Sequence, residues 1–117
     1  MTGIVSHLKG RAAEDTVERH YVARGAKVLH RRWRGTYGEI DLIFKSDDAV
    51  VFVEVKTART LARAFESLGA RQIKRLCASA ANFLDTMPAG SLTPMRFDVA
   101  AMDGAGQLEV VENAFAA

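Results

Sequence analysis

The stretch "GEIDLIFKSDDAVVFVEVK", residues 38 to 56, limits the fold more than any other part of the chain. Two runs rich in Ile, Val and Phe, 38–46 and 49–57, flank the polar tip "SDDA", which is the pattern of two strands joined by a tight turn. Side chains alternate along a strand, so Glu39, Asp41 and Ile43 are predicted on one side and Ile40, Leu42 and Phe44 on the other. In the next strand Val50, Phe52, Glu54 and Lys56 share a side, opposite Val51, Val53 and Val55. With Asp47 and Asp48 in the turn, Asp41 is predicted across from Glu54 and Glu39 across from Lys56. Four charges then gather at the open end of one face whose other end is apolar.

Like charges directly opposite on a sheet cost roughly 0.2 to 1 kcal/mol at a wet surface, and more where neighbours exclude water. Asp41 and Glu54 therefore call for a cation. Lys56 is one candidate and a divalent metal between the carboxylates is another; carboxylate oxygens favour Mg²⁺ or Mn²⁺ over zinc. His7, His20 and His30 lack zinc-like spacing, and the single cysteine, Cys77, is too few for a structural zinc site. A plainly solvated strand end, with inert charges, explains the same pattern.

Around the hairpin, Ala13, Val17 and Tyr21 recur every four residues, predicting a helix from about Lys9 to Arg24 with Gly25 as its stop. "AKVLHRRWR" alternates as a first strand ending at Gly35. Residues 57 to 65 are polar and basic and read as a mobile loop. A second helix is predicted from about Phe65 or Ser67 to Asp85, with Ile73, Cys77, Ala80 and Leu84 as its inner stripe and Pro88 beyond its end. "MRFDVAAM" and "QLEVVE" read as two more strands separated by "DGAG". The predicted order is α-β-β-β-α-β-β, a mixed α/β domain with helices packed on a central sheet.

A chain of 117 residues, 49% hydrophobic and 26% charged, is predicted to fold as one domain over 1–117. The absence of a secretory-type or membrane-crossing apolar run, together with a lone cysteine, predicts a cytoplasmic protein with no membrane partner. Net charge is only +2, but residues 1 to 36 hold eight Lys or Arg against three acids, a surplus of +5, which leaves −3 for the remainder. A second cationic group, Lys56, Arg59, Arg63, Arg71, Lys74 and Arg75, is diluted only by Glu66. Arg31, Arg32 and Arg34 around Trp33 read equally well as a DNA-contact strip or as solvated arginines flanking a core Trp. Gln72, Lys74 and Arg75 are predicted near the end of the "EVK" strand, where phosphate contacts are plausible. Cys77 reads as packing, and Asp98 as the partner of Arg96 or of the first helix.

Asp41, twelve residues, then "EVK" resembles the PD-(D/E)xK nuclease signature. The wider text, "AAEDTVERHYVARGAKVL", "RRWR", "GEIDLIF", "VVFVEVKTAR", "ARQIKRL", "MRFDVAAM" and "NAF", resembles the YraN family of uncharacterised bacterial proteins over nearly the whole chain. Members are regarded as predicted endonucleases, similar to archaeal Holliday-junction resolvases. The resemblance implies a restriction-endonuclease-like α/β core. It also implies that Asp41 and Glu54 are metal ligands, with the backbone carbonyl of Val55 as a third, and that Lys56 orients the attacking water and stabilises developing charge. Glu14 matches the helical glutamate and would complete the acidic ring; Glu39 belongs to the "GEIDLI" text as an accessory acid that pairs with Lys56. Arg31, Arg32, Arg34, Arg59, Gln72, Lys74 and Arg75 are the candidate nucleic-acid contacts on charge and position, with plain solvated surface as the alternative. Ala13 stands where a glycine is expected, and Arg32 where the family usually has asparagine.

Taken together, these features lead to the expectation of a Mg²⁺- or Mn²⁺-dependent endonuclease acting on DNA, with branched or structured substrates in view. By analogy with junction-resolving proteins the expected assembly is a homodimer. The alternative is a non-catalytic nucleic-acid-binding or protein-interaction module on the same fold.

Overall fold

A computed structural model describes residues 2–116 and the side chains of residues 10–116; those of His7 and Lys9 lie outside the described ones. The sequence condenses into α1 (Thr2–Val22), β1 (Lys27–Gly35), β2 (Gly38–Ser46), β3 (Ala49–Thr57), α2 (Leu61–Glu66), α3 (Ala70–Leu84), a 3₁₀ turn (Gly90–Leu92), β4 (Met95–Met102) and β5 (Leu108–Phe115). The five strands form one mixed sheet in the order β1-β2-β3-β4-β5. Every neighbouring pair is antiparallel except β3 and β4, whose parallel pairing requires the crossover that α2 and α3 provide. The mixed α/β architecture expected from the sequence is therefore observed, with one additional short helix in the crossover.

That additional helix corrects the expected loop at 57 to 65. Thr60 caps it by accepting a hydrogen bond from the Arg63 amide, and Ala64 is fully buried, so the segment is tied down at both levels. The signal in the sequence was local: a Thr followed by the good helix formers Leu61, Ala62, Arg63 and Ala64.

The sheet separates two cores. On one face α3 lays Leu76, Ala80, Phe83 and Leu84 against Ile40, Ile43, Val50, Phe52 and Phe97. Ala80 and Leu84 were expected on this stripe, but Leu76 and Phe83 rather than Ile73 complete it, and Cys77 packs at its flank. Phe83 meets Trp33, His30 and Phe52 edge to face, a geometry aromatic rings favour. On the other face α1 lays Val17 and Tyr21 against Leu42, Phe44, Val51 and Val53. Asp98 is wholly buried here and fully partnered: it accepts hydrogen bonds from the Tyr21 hydroxyl, from Arg96 at 3.0 Å and from the Asn113 amide at 3.0 Å. Its expected links to Arg96 and to the first helix are thus both present.

One face assignment is overturned. Ile40 lies in the α3-side core with Ile43, not with Leu42 and Phe44 on the α1 side. The neighbouring strand is irregular at the same level. Arg32, which falls between the pairs Arg31↔Leu42 and Trp33↔Ile40 and so opposite Asp41, has φ 48, a left-handed conformation that breaks strict alternation there.

Candidate active site

The β2–β3 ladder runs from Ser46↔Ala49 to Leu42↔Val53 and stops one residue short of Asp41. Beyond that point β2 continues to pair with β1 as far as Gly35↔Gly38, while β3 continues with β4 as far as Thr57↔Met102. An amide at the parting of the strands needs an acceptor. Asp41 supplies it: its Oδ2 accepts from the Val55 N–H at 2.8 Å, in place of a carbonyl of an unbroken ladder. Asp41 is thereby fixed beside Glu54.

Glu54 is only 7% exposed, and its two oxygens differ. Oε2 accepts from Gln72 Nε2 and lies 3.4 Å from the Lys56 ammonium. Oε1 is buried with no hydrogen-bond partner. Burial first, and then the negative charge of Asp41, push the Glu54 pKa up to about 9, against the opposing pull of Lys56. Lys56 in turn donates to Gln72 Oε1 at 2.9 Å. A single amide from the first turn of α3 thus holds both the acid and the lysine of β3.

Glu14 reaches the cluster from α1, where it accepts from Arg32 at 2.8 Å. Burial raises its pKa; the Arg32 hydrogen bond opposes this, and the charges of Asp41 and Glu39 add to it. Glu39 pairs with Arg34 at 3.4 Å rather than with Lys56. The expected Glu39–Lys56 opposition fails because the β2–β3 ladder has already ended, leaving those two positions unpaired with each other.

The structure thus gathers Glu14, Asp41, Glu54, Val55 and Lys56, and adds Gln72, which sequence pattern placed among phosphate contacts. Arg31, Arg32 and Arg34 are each matched to an acid, Glu18, Glu14 and Glu39 respectively. Arg59, Lys74 and Arg75, with Arg63 and Arg71, are exposed, and among the described residues none has an acid within 4.0 Å. Arg59 also borders a cleft of about 540 Å³ between α1 and the ends of β3 and β4, lined by Ala12, Ala13, Thr16 and Thr57.

The donor set suits a hard divalent ion in one respect. A buried, unpartnered carboxylate oxygen beside a second carboxylate is a costly arrangement that such an ion would relieve. Among the described residues no three His, Cys, Asp or Glu side chains converge as a ligand group, so the carboxylate ligands would be Asp41 and Glu54, with Glu14 outside.

A mixed sheet flanked by helices, with two acids and a lysine on adjacent strands at a break in pairing, is consistent with a nuclease-like α/β core. The chain belongs to the Uncharacterised protein family UPF0102, whose profile matches residues 13–102. It is similar to a UPF0102 protein of Ruegeria pomeroyi, 64% identical over 113 residues, covering 97% of this chain and 92% of that one. A UPF0102 protein of Cereibacter sphaeroides is 48% identical over the full length of both chains, and one from Dinoroseobacter shibae is 46% identical over 95% of this chain and 83% of its own. No helix among the described residues is long and apolar enough to cross a membrane.

Proposed function

We propose that this chain is a metal-dependent endonuclease that hydrolyses DNA phosphodiester bonds, with branched or structured DNA as its substrate class. The observation that carries the reading is the buried, unpartnered Oε1 of Glu54 beside Asp41, with Lys56 held 3.4 Å from the other oxygen of the same carboxylate. Mg²⁺ or Mn²⁺ held by Asp41, Glu54 and the Val55 carbonyl would supply neutralisation of the phosphate and a lowered pKa for a bound water. Lys56, anchored by Gln72, presents a fixed positive charge to the oxygens on which negative charge develops. Glu14 shapes the field on the α1 side. Arg59, Arg63, Arg71, Lys74 and Arg75 would bind the phosphate backbone without reading sequence, whereas the charges of Arg31, Arg32 and Arg34 are already matched by acids.

Titration of Mg²⁺ and Mn²⁺ against junction, flap, single-stranded and duplex DNA tests this. Metal-dependent cleavage lost in Asp41→Asn and Lys56→Ala supports it, and cleavage that survives both substitutions sinks it. Salt-sensitive binding with no cleavage of any substrate would instead establish the non-catalytic binding module, a reading that the unpaired cations of α2 and α3 also support.

A further inference from the structure

Arg32 combines an uncommon backbone conformation with a part-buried ion pair. Its backbone is held at φ 48, an uncommon conformation for a residue with a side chain, and it lies opposite Asp41. Its guanidinium is delivered to Glu14 Oε1 at 2.8 Å, on the α1 side of the acidic cluster. Arg32 and Lys56 stand on opposite sides of the acids, against α1 and α3, and each already meets one carboxyl group, Arg32 that of Glu14 and Lys56 that of Glu54. With Glu14 held by Arg32, no three carboxyl groups converge among the described residues, which suits one divalent ion rather than two. Among the described residues the only buried side-chain oxygen without a partner is Glu54 Oε1, on the carboxyl group whose Oε2 faces Gln72 and Lys56.

We infer that Arg32 is a resident cation of the cluster: it holds Glu14 out of the metal's coordination shell, so that the site takes a single divalent ion between Asp41 and Glu54. The inference rests on the proposed metal-dependent reading and adds the number of ions and the residue that sets it. A two-ion site would use Glu14 as a second anchor; here an organic cation already occupies that position.

Mn²⁺ binding, followed by electron paramagnetic resonance of the free ion and by calorimetry without DNA, tests it. The native protein should bind one equivalent, abolished in Asp41→Asn, and Glu14→Gln should leave the affinity within about threefold, because Glu14 is already neutralised. Arg32→Asn, chosen because asparagine accepts the left-handed backbone, should tighten Mn²⁺ by about tenfold or admit a second equivalent. Adding Glu14→Gln to it should reverse the gain, while Arg32→Lys should behave as native. Two equivalents in the native protein, a tenfold loss in Glu14→Gln alone, or an unchanged Arg32→Asn would each overturn the inference while leaving Asp41-dependent metal binding in place. Absence of any Asp41-dependent Mn²⁺ binding would overturn the metal reading itself, and this inference with it.

Discussion

Glu54 should make the metal-free protein less stable as pH rises, and Glu54→Gln should remove that dependence. In the folded chain its pKa is about 9, against a reference of 4.5, because burial and the Asp41 charge favour the neutral acid. Between those values the folded carboxyl keeps its proton while the unfolded one has released it. The unfolded state therefore binds fewer protons, and stability falls with pH by about 1.4 kcal/mol per unit. From about pH 6 to about pH 8 the loss is about 3 kcal/mol, a large share of the roughly 5 to 15 kcal/mol that holds a small domain together. The stabilisation is complete below the unfolded pKa and gone above the folded one. His20, whose pKa burial lowers, acts in the opposite sense, but it does so equally in both proteins and cancels in the difference. Urea unfolding in chelator across this range measures the slopes, with constant m-values as the check that the unfolded states match. Glutamine keeps an acceptor for Gln72 and removes the ionisation, so its slope should be shallower by about 1.4 kcal/mol per pH unit. Equal slopes in the two proteins would refute the argument that Glu54 is held neutral by its surroundings.

Two other predictions follow from the same contacts. Tyr21→Phe removes one of the hydrogen bonds to the buried Asp98 and should cost about 1 to 2 kcal/mol in urea unfolding while leaving Mn²⁺ affinity unchanged; a loss below about 0.5 kcal/mol would contradict it. Gln72→Ala frees both Lys56 and Glu54 Oε2 and should weaken Mn²⁺ binding by about 10- to 100-fold with the fold retained, measured by calorimetry alongside circular dichroism; native affinity would show that the amide does not organise the site.

The strands were legible because their signal is local. β2 and β3 begin and end within a residue of where alternation and the Asp47–Asp48 turn put them, and the faces of Val50, Phe52 and Glu54 against Val51 and Val53 follow from a period of two. What was not legible depends on distant parts of the chain. Ile40 changes face at the level where Arg32, on the neighbouring strand, takes a left-handed conformation, and alternation within 38–46 does not reveal either. Arg31 and Arg32 of β1 could read as a basic strip because their acids, Glu18 and Glu14, lie 13 and 18 residues upstream and meet them only when α1 docks. Gln72 read as a phosphate contact for the same reason: its distance to Glu54 and Lys56 is set by how the crossover folds, including a helix that the sequence reading left out.

The parting of β2 from β3 links these observations physically. Had the antiparallel ladder continued three residues further, Glu39 would face Lys56, the lysine would be neutralised at the strand end, and the Val55 amide would bond to backbone. Instead β2 stays with β1 and β3 stays with β4, so the gap must be closed by side chains. Asp41 closes it by bonding to the Val55 amide, which leaves Glu54 buried next to a second carboxylate and leaves Lys56 free to turn towards α3. Glu39, released from Lys56, goes to Arg34. The acid pair and the available lysine therefore have one cause. A substitution that restored the ladder at this point would remove the site without touching either core.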